Sequence, residues 1–64
     1  MTVSFYDKAR ETYETIDNVV YVKEGLSNQN GHLTKFWFVH TTDGKPRALK
    51  CRDYSIHWIS EKNV

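Results

Sequence analysis

A small, mainly β domain is what this chain predicts: an antiparallel meander of four or five strands, curled in the manner of an SH3-like sheet or half-barrel. Polar turn residues recur at Asp7, Asp17, Asn30, Asp43 and Asp53, and the segments between them are rich in β-branched and aromatic side chains. The alternative is an α+β arrangement, one short N-terminal helix packed on a sheet of three or four strands. That alternative comes from the first sixteen residues, where Phe5, Ala9, Tyr13 and Ile16 fall at helical spacing and Ser4 with Asp7 reads as a capping pair. Thr2–Tyr6 and Thr12–Ile16 are nevertheless strand-forming in composition, and the polar run 7–10 suits a turn between them. Two strands are the preferred reading, because the rest of the chain is β and sheets need partners.

Asp17-Asn18 reads as a turn, since both side chains tolerate left-handed backbone. Val19–Lys23 follows as a strand, and residues 25–32 as a long polar loop within which Asn30-Gly31 can close a tight turn. Leu33–Thr41 is a strand whose Phe-Trp-Phe-Val centre predicts burial on one face and partial cover on the other. Pro46 cannot donate to a sheet ladder, so its strand lies at an edge or begins after it, over Arg47–Arg52. Tyr54–Ser60 is a last strand or a turn of helix. Residues 1–64 form a single domain, and at this size folding removes only about 60% of the unfolded chain's surface. Nine aromatic residues supply the bulk for so thin a core.

Asp43-Gly44 is a strong signal for a two-residue type I′ hairpin. Counting outward from it pairs Phe38 with Leu49, Trp37 with Lys50, Phe36 with Cys51 and Lys35 with Arg52. Alternation then divides the hairpin into two faces. Phe36, Phe38, Leu49 and Cys51 form the expected core face, and Lys35, Trp37, Val39, Ala48, Lys50 and Arg52 the other. Cations around an indole suit phosphates and stacked bases, so Lys35, Trp37, Lys50 and Arg52, assisted by Lys45 and Arg47, are the candidate binding residues. The competing expectation is that Trp37 is covered by Trp58, Ile59 or the N-terminal segment while the cations rim the cover.

The function classes narrow accordingly. His32, His40, His57 and Cys51 lack the close pairing of structural zinc ligands, and no metal or other cofactor is expected. No nucleophile–base–acid arrangement, carboxylate pair or Gly-rich phosphate loop stands out, which argues against an enzyme and against a small-molecule substrate. One cysteine and no long apolar stretch point to a reducing, cytoplasmic setting without membrane insertion. Net charge is +1, divided unevenly: three cations face five anions over residues 1–30, and six face three over residues 31–64. The expected function is a non-enzymatic binding module for a protein partner or a second copy of itself. Nucleic-acid binding through the basic-aromatic sheet face is the alternative, weakened because dedicated nucleic-acid binders are more basic throughout.

Overall fold

The computed structural model describes residues 1–61 and is all β: β1 (Thr2–Asp7), β2 (Thr12–Ile16), β3 (Val19–Gln29), β4 (His32–Thr41), β5 (Arg47–Lys50) and β6 (Tyr54–Ser60). Both N-terminal segments are strands, so the helical alternative does not hold. The spacing of Phe5, Ala9, Tyr13 and Ile16 loses to β-propensity and to the turn between them. There Asp7, buried, accepts hydrogen bonds from the Ala9 and Arg10 amides at 3.0 and 3.2 Å.

Six strands replace the expected four or five, because residues 25–32 are not a loop. β3 and β4 pair without interruption from Gly25–Phe36 to Gln29–His32, closed by Asn30 (φ 52°) and Gly31 (φ 81°). Positive φ at both central residues is the type I′ geometry, whose twist matches that of the flanking strands. Composition suggested flexibility here, but the two-residue turn carries the ladder through it.

The strands form two antiparallel sheets, β2-β1-β6 and β3-β4-β5. The second is a meander in chain order, whereas the first brings the two ends of the chain together through β1 and β6. Met1 ties the sheets, its amino group donating to the Val19 carbonyl at 2.8 Å and its carbonyl accepting from the Val19 amide at 2.7 Å. One face of each sheet is buried against the other. Val3, Phe5 and Ile16 meet Val19, Val39 and Leu49, with Trp37, Tyr54 and Ile56 packed around them. The rim is closed by an ion pair between Glu14 of β2 and Arg47 of β5 at 2.6 Å.

β6 resolves the ambiguity of Tyr54–Ser60 with a bulge. Ser4 pairs with Trp58 and Phe5 with Ile56, leaving His57 as the extra residue. The bulge lets Ile56 and Ile59, three apart, both pair along the inner rows with Phe5 and Val3, a spacing that a regular strand would split between faces.

The hairpin between β4 and β5 departs from expectation by one residue. Phe36 pairs with Lys50, Trp37 with Leu49, Phe38 with Ala48 and Val39 with Arg47. Extending that count inward leaves Thr42, Asp43 and Gly44 as a three-residue loop. Asp43 has negative φ while Gly44 is left-handed at 77°, and the Gly44 amide donates to the Thr41 carbonyl at 3.1 Å. This is the type I turn with a following left-handed glycine, not type I′. The Asp43 carboxylate holds it, accepting from the Lys45 amide at 3.0 Å and from the Thr41 hydroxyl. Those bonds, the hydroxyl first, hold the Asp43 carboxyl below its ordinary value of 3.8. A carboxyl depressed in the folded state adds stability above its ordinary range, and that stability is lost as pH falls through the folded value. Urea unfolding of the wild type should therefore weaken on acidification below about pH 5 more steeply than that of Asp43→Asn; parallel acid limbs would show that the turn does not depend on the charge.

Candidate functional site

The one-residue change of register redistributes every candidate residue on β4 and β5. Alternate rows Val22–Val39–Arg47 and Glu24–Trp37–Leu49 face the other sheet. Rows Tyr21–His40, Lys23–Phe38–Ala48 and Gly25–Phe36–Lys50 face away from it. Phe36 and Phe38, expected in the core with Leu49 and Cys51, thus lie on the outer face, their ring centroids 5.9 Å apart. Phe36 is still buried there, packed among its neighbours. Cys51 lies beyond the end of β5 in the turn 51–53, where its amide donates to the Lys35 carbonyl at 3.1 Å. It is half-buried, and burial raises its thiol pKa above 9.0, the opposite of a nucleophile's requirement.

The expected cationic surface around Trp37 is not assembled. Trp37 points inward and donates its indole N–H to the Tyr54 carbonyl at 3.3 Å, so β6 covers it. Lys50 lies on the opposite side of the sheet from Trp37, across from Phe36. Lys35 is spent on Glu24 at 2.6 Å, and that hydrogen bond and charge raise its pKa. Arg47 is held by Glu14, and Arg52, in the turn, lies 3.7 Å from Asp53. Lys45 is exposed just after the hairpin loop. The six residues are scattered over two faces and two turns, and the indole is covered by β6 through Tyr54 rather than through the expected Trp58, which lies on the outer face.

Two other surfaces take their place. The outer face of β2-β1-β6 was not singled out by sequence reasoning. Its rows, by register, are Tyr6–Tyr13 with Ser55, Ser4–Thr15 with Trp58, and Thr2 with Ser60, with bulged His57 beside Tyr13. None of these residues is charged. Tyr6 and Tyr13 ring centroids lie 5.1 Å apart and Tyr13 and His57 4.6 Å apart, both pairs tilted by about half a right angle, the edge-to-face tendency of aromatic quadrupoles. Tyr13 is 62% exposed and Trp58 41%. The signal was present as period-two alternation, Thr2-Ser4-Tyr6 and Tyr13-Thr15, but only the bulge puts His57 and Trp58 on the same side.

The outer face of β3-β4-β5 is the second surface. Tyr21 and His40 stack at 4.8 Å and 16°, and Phe38 lies across Gly25. A Cβ at Gly25 would come within 2.5 Å of the Phe38 ring, so glycine is required by the ring rather than by the backbone angle. Beyond the reach of β5, the β3–β4 hairpin continues as a two-stranded arm whose exposed Leu26 and Leu33 lie on adjacent rows of the side that carries Trp37.

Among the described residues, no three His, Cys, Asp or Glu side chains converge to hold a metal ion, and no helix is long and apolar enough to cross a membrane. Compared with known proteins, the chain matches no protein-family model, no curated protein and no solved structure. The functional reading therefore rests on its own geometry.

Two stability measurements check these placements. Trp37→Ala should cost about 3 kcal/mol, the lower end for an aromatic core residue because the ring is partly exposed, and Trp37→Phe about 1 kcal/mol for the lost N–H bond. A neutral Trp37→Ala would mean that the indole is not packed inside. Gly25→Ala should destabilise by about 1–3 kcal/mol through overpacking, with part of the loss recovered when Phe38→Leu is added; additive losses would contradict the contact.

Proposed function

We propose that this chain is a non-enzymatic protein-binding module whose contact surface is the outer face of β2-β1-β6. One observation carries the reading: in a chain that is 27% charged, the paired rows of this face hold four aromatic or imidazole rings and no charged side chain, with the Asp17 carboxylate reaching only its margin, where it accepts from the Thr2 hydroxyl at 3.1 Å. The buried centres of protein interfaces are depleted in charge and enriched in tyrosine and tryptophan. Thr15 and Ser55 beside the rings supply small hydrogen-bonding groups that adapt to a partner, the combination used in antibody loops, while Ser4 is buried beneath them. Tyr13 is held between Tyr6 and His57, so part of the ordering cost of binding is met before a partner arrives.

The edges of the same sheet support the reading. β2 and β6 are its outer strands, and the seven-residue β6 offers backbone groups on its outer side near the exposed Trp58. A partner strand at this edge extends the sheet while its side chains reach the rings. A second copy of the chain meets the same requirement, which makes solution mass part of the test.

Tyr13→Lys and Trp58→Lys place a charge on either side of the face, at exposed positions of β2 and β6 that do not touch the core. In a pull-down from the native host with nuclease treatment, a protein held by the wild type should be retained by Lys50→Gln and lost by both face variants. Sedimentation velocity run in parallel should show any self-associated species collapsing to monomer in the same two variants. A partner or dimer indifferent to both charges would overturn the assignment.

A further inference from the structure

We propose that the outer face of β3-β4-β5, on the other sheet from the first surface, binds single-stranded nucleic acid, with a base on the exposed Tyr21 ring, the half-buried Phe38 and His40 beside it, and phosphates at Lys23 and Lys50. The argument begins with charge. Arg10, Lys35, Arg47 and Arg52 each lie within 4.0 Å of a carboxylate. Lys23 and Lys50 have no such partner among the described residues, and both are exposed. The rows they occupy, Lys23–Phe38–Ala48 and Gly25–Phe36–Lys50, contain no Asp or Glu, nor does the neighbouring Tyr21–His40 row. Glu24, the nearest acid in sequence, belongs to the inward row with Trp37. The face is therefore a site of positive potential without local compensation, and an anion is its complement.

The rings narrow the anion to one with flat bases. The lysines sit on the two outer strands, with the aromatic row of β4 between them. Strand and residue spacings put their Cα atoms about 12 Å apart, diagonally across that row. Tyr21 is 41% exposed and stacked nearly parallel on His40, which keeps its free side flat and outward. Beside it a shallow depression of about 380 Å³ lies between Tyr21, Phe38, His40 and Pro46, with Gly25 in its floor. Any larger residue at Gly25 would displace Phe38. Base stacking on such rings needs splayed, unpaired bases, so the occupant is a single strand rather than a duplex. An acidic peptide answers the lysines but leaves the rings unused.

Fluorescence anisotropy with a labelled oligothymidylate, titrated over a salt series that starts at about 50 mM, tests this on the intact chain. Two phosphate contacts predict a slope of log affinity against log salt of about −1.4. The double variant Lys23→Gln/Lys50→Gln should flatten that slope toward zero. Tyr21→Ala should weaken binding by about 5- to 150-fold, the range for one stacked base, with an unchanged circular dichroism spectrum showing that the fold is retained. Tyr13→Lys, on the other sheet, should bind as the wild type, which separates this inference from the protein-binding face. No binding at millimolar protein, an unchanged affinity in the double lysine variant, or equal affinity for polyglutamate would each overturn it.

Discussion

The turn between β4 and β5 contains an odd number of residues, and from that parity follows which side chains of β4 and β5 share a face of the sheet. Asp43 accepts from the residue before the loop and the residue after it, and Gly44 takes the left-handed conformation that closes a three-residue connection. With two loop residues Leu49 would share a face with the two phenyl rings instead of with the indole. With three, Trp37, Val39 and Leu49 are delivered to the core, and Phe36 and Phe38 to the outside. A side-chain period of two means that no intermediate arrangement exists.

The core built this way is small. Six buried apolar residues form its cluster, and the radius of gyration, 12.2 Å, exceeds the roughly 10.7 Å expected of a compact chain of this length. Extents of 42 × 27 × 14 Å show a thin, elongated molecule, in keeping with an eleven-residue β3 that spans about 37 Å by itself. Long-range ties offset the thinness. The β1–β6 ladder joins the ends of the chain, Met1 joins β1 to β3, and Arg47 joins β5 to β2. Each shortens the effective loops that folding must close, which matters most where hydrophobic burial is limited.

A two-sheet molecule this thin leaves both outer faces open, and they differ in chemistry. One carries tyrosine, tryptophan and hydroxyl groups without charge; the other carries phenyl rings, a tyrosine–histidine stack and two lysines without acids. Most remaining cations are engaged by carboxylates at the rim, in the turns or on the arm. Among the described residues Lys8, in a turn, and Lys45, just after one, are likewise unpaired, but only Lys23 and Lys50 stand together on one sheet face, and the two proposed contacts occupy surfaces that do not compete.

The β class, the five turn positions and the start of β5 after Pro46 were legible in the amino-acid order. They rest on properties each residue carries locally: branched and aromatic side chains favour extended backbone, Asn and Gly accept positive φ, and proline lacks a donor. The pairing of β1 with β6, the bulge at His57 and the inward turn of Trp37 were not. Two- and three-residue closures of Asp43-Gly44 are both available to the local chain, and each strand offers apolar side chains to both faces. The choice falls to distant partners, Tyr54 accepting the indole N–H and Val3, Phe5 and Ile16 filling the other side of the core. Burial is a property of the assembled sheets, so the composition of each exposed face could be settled only once they had packed.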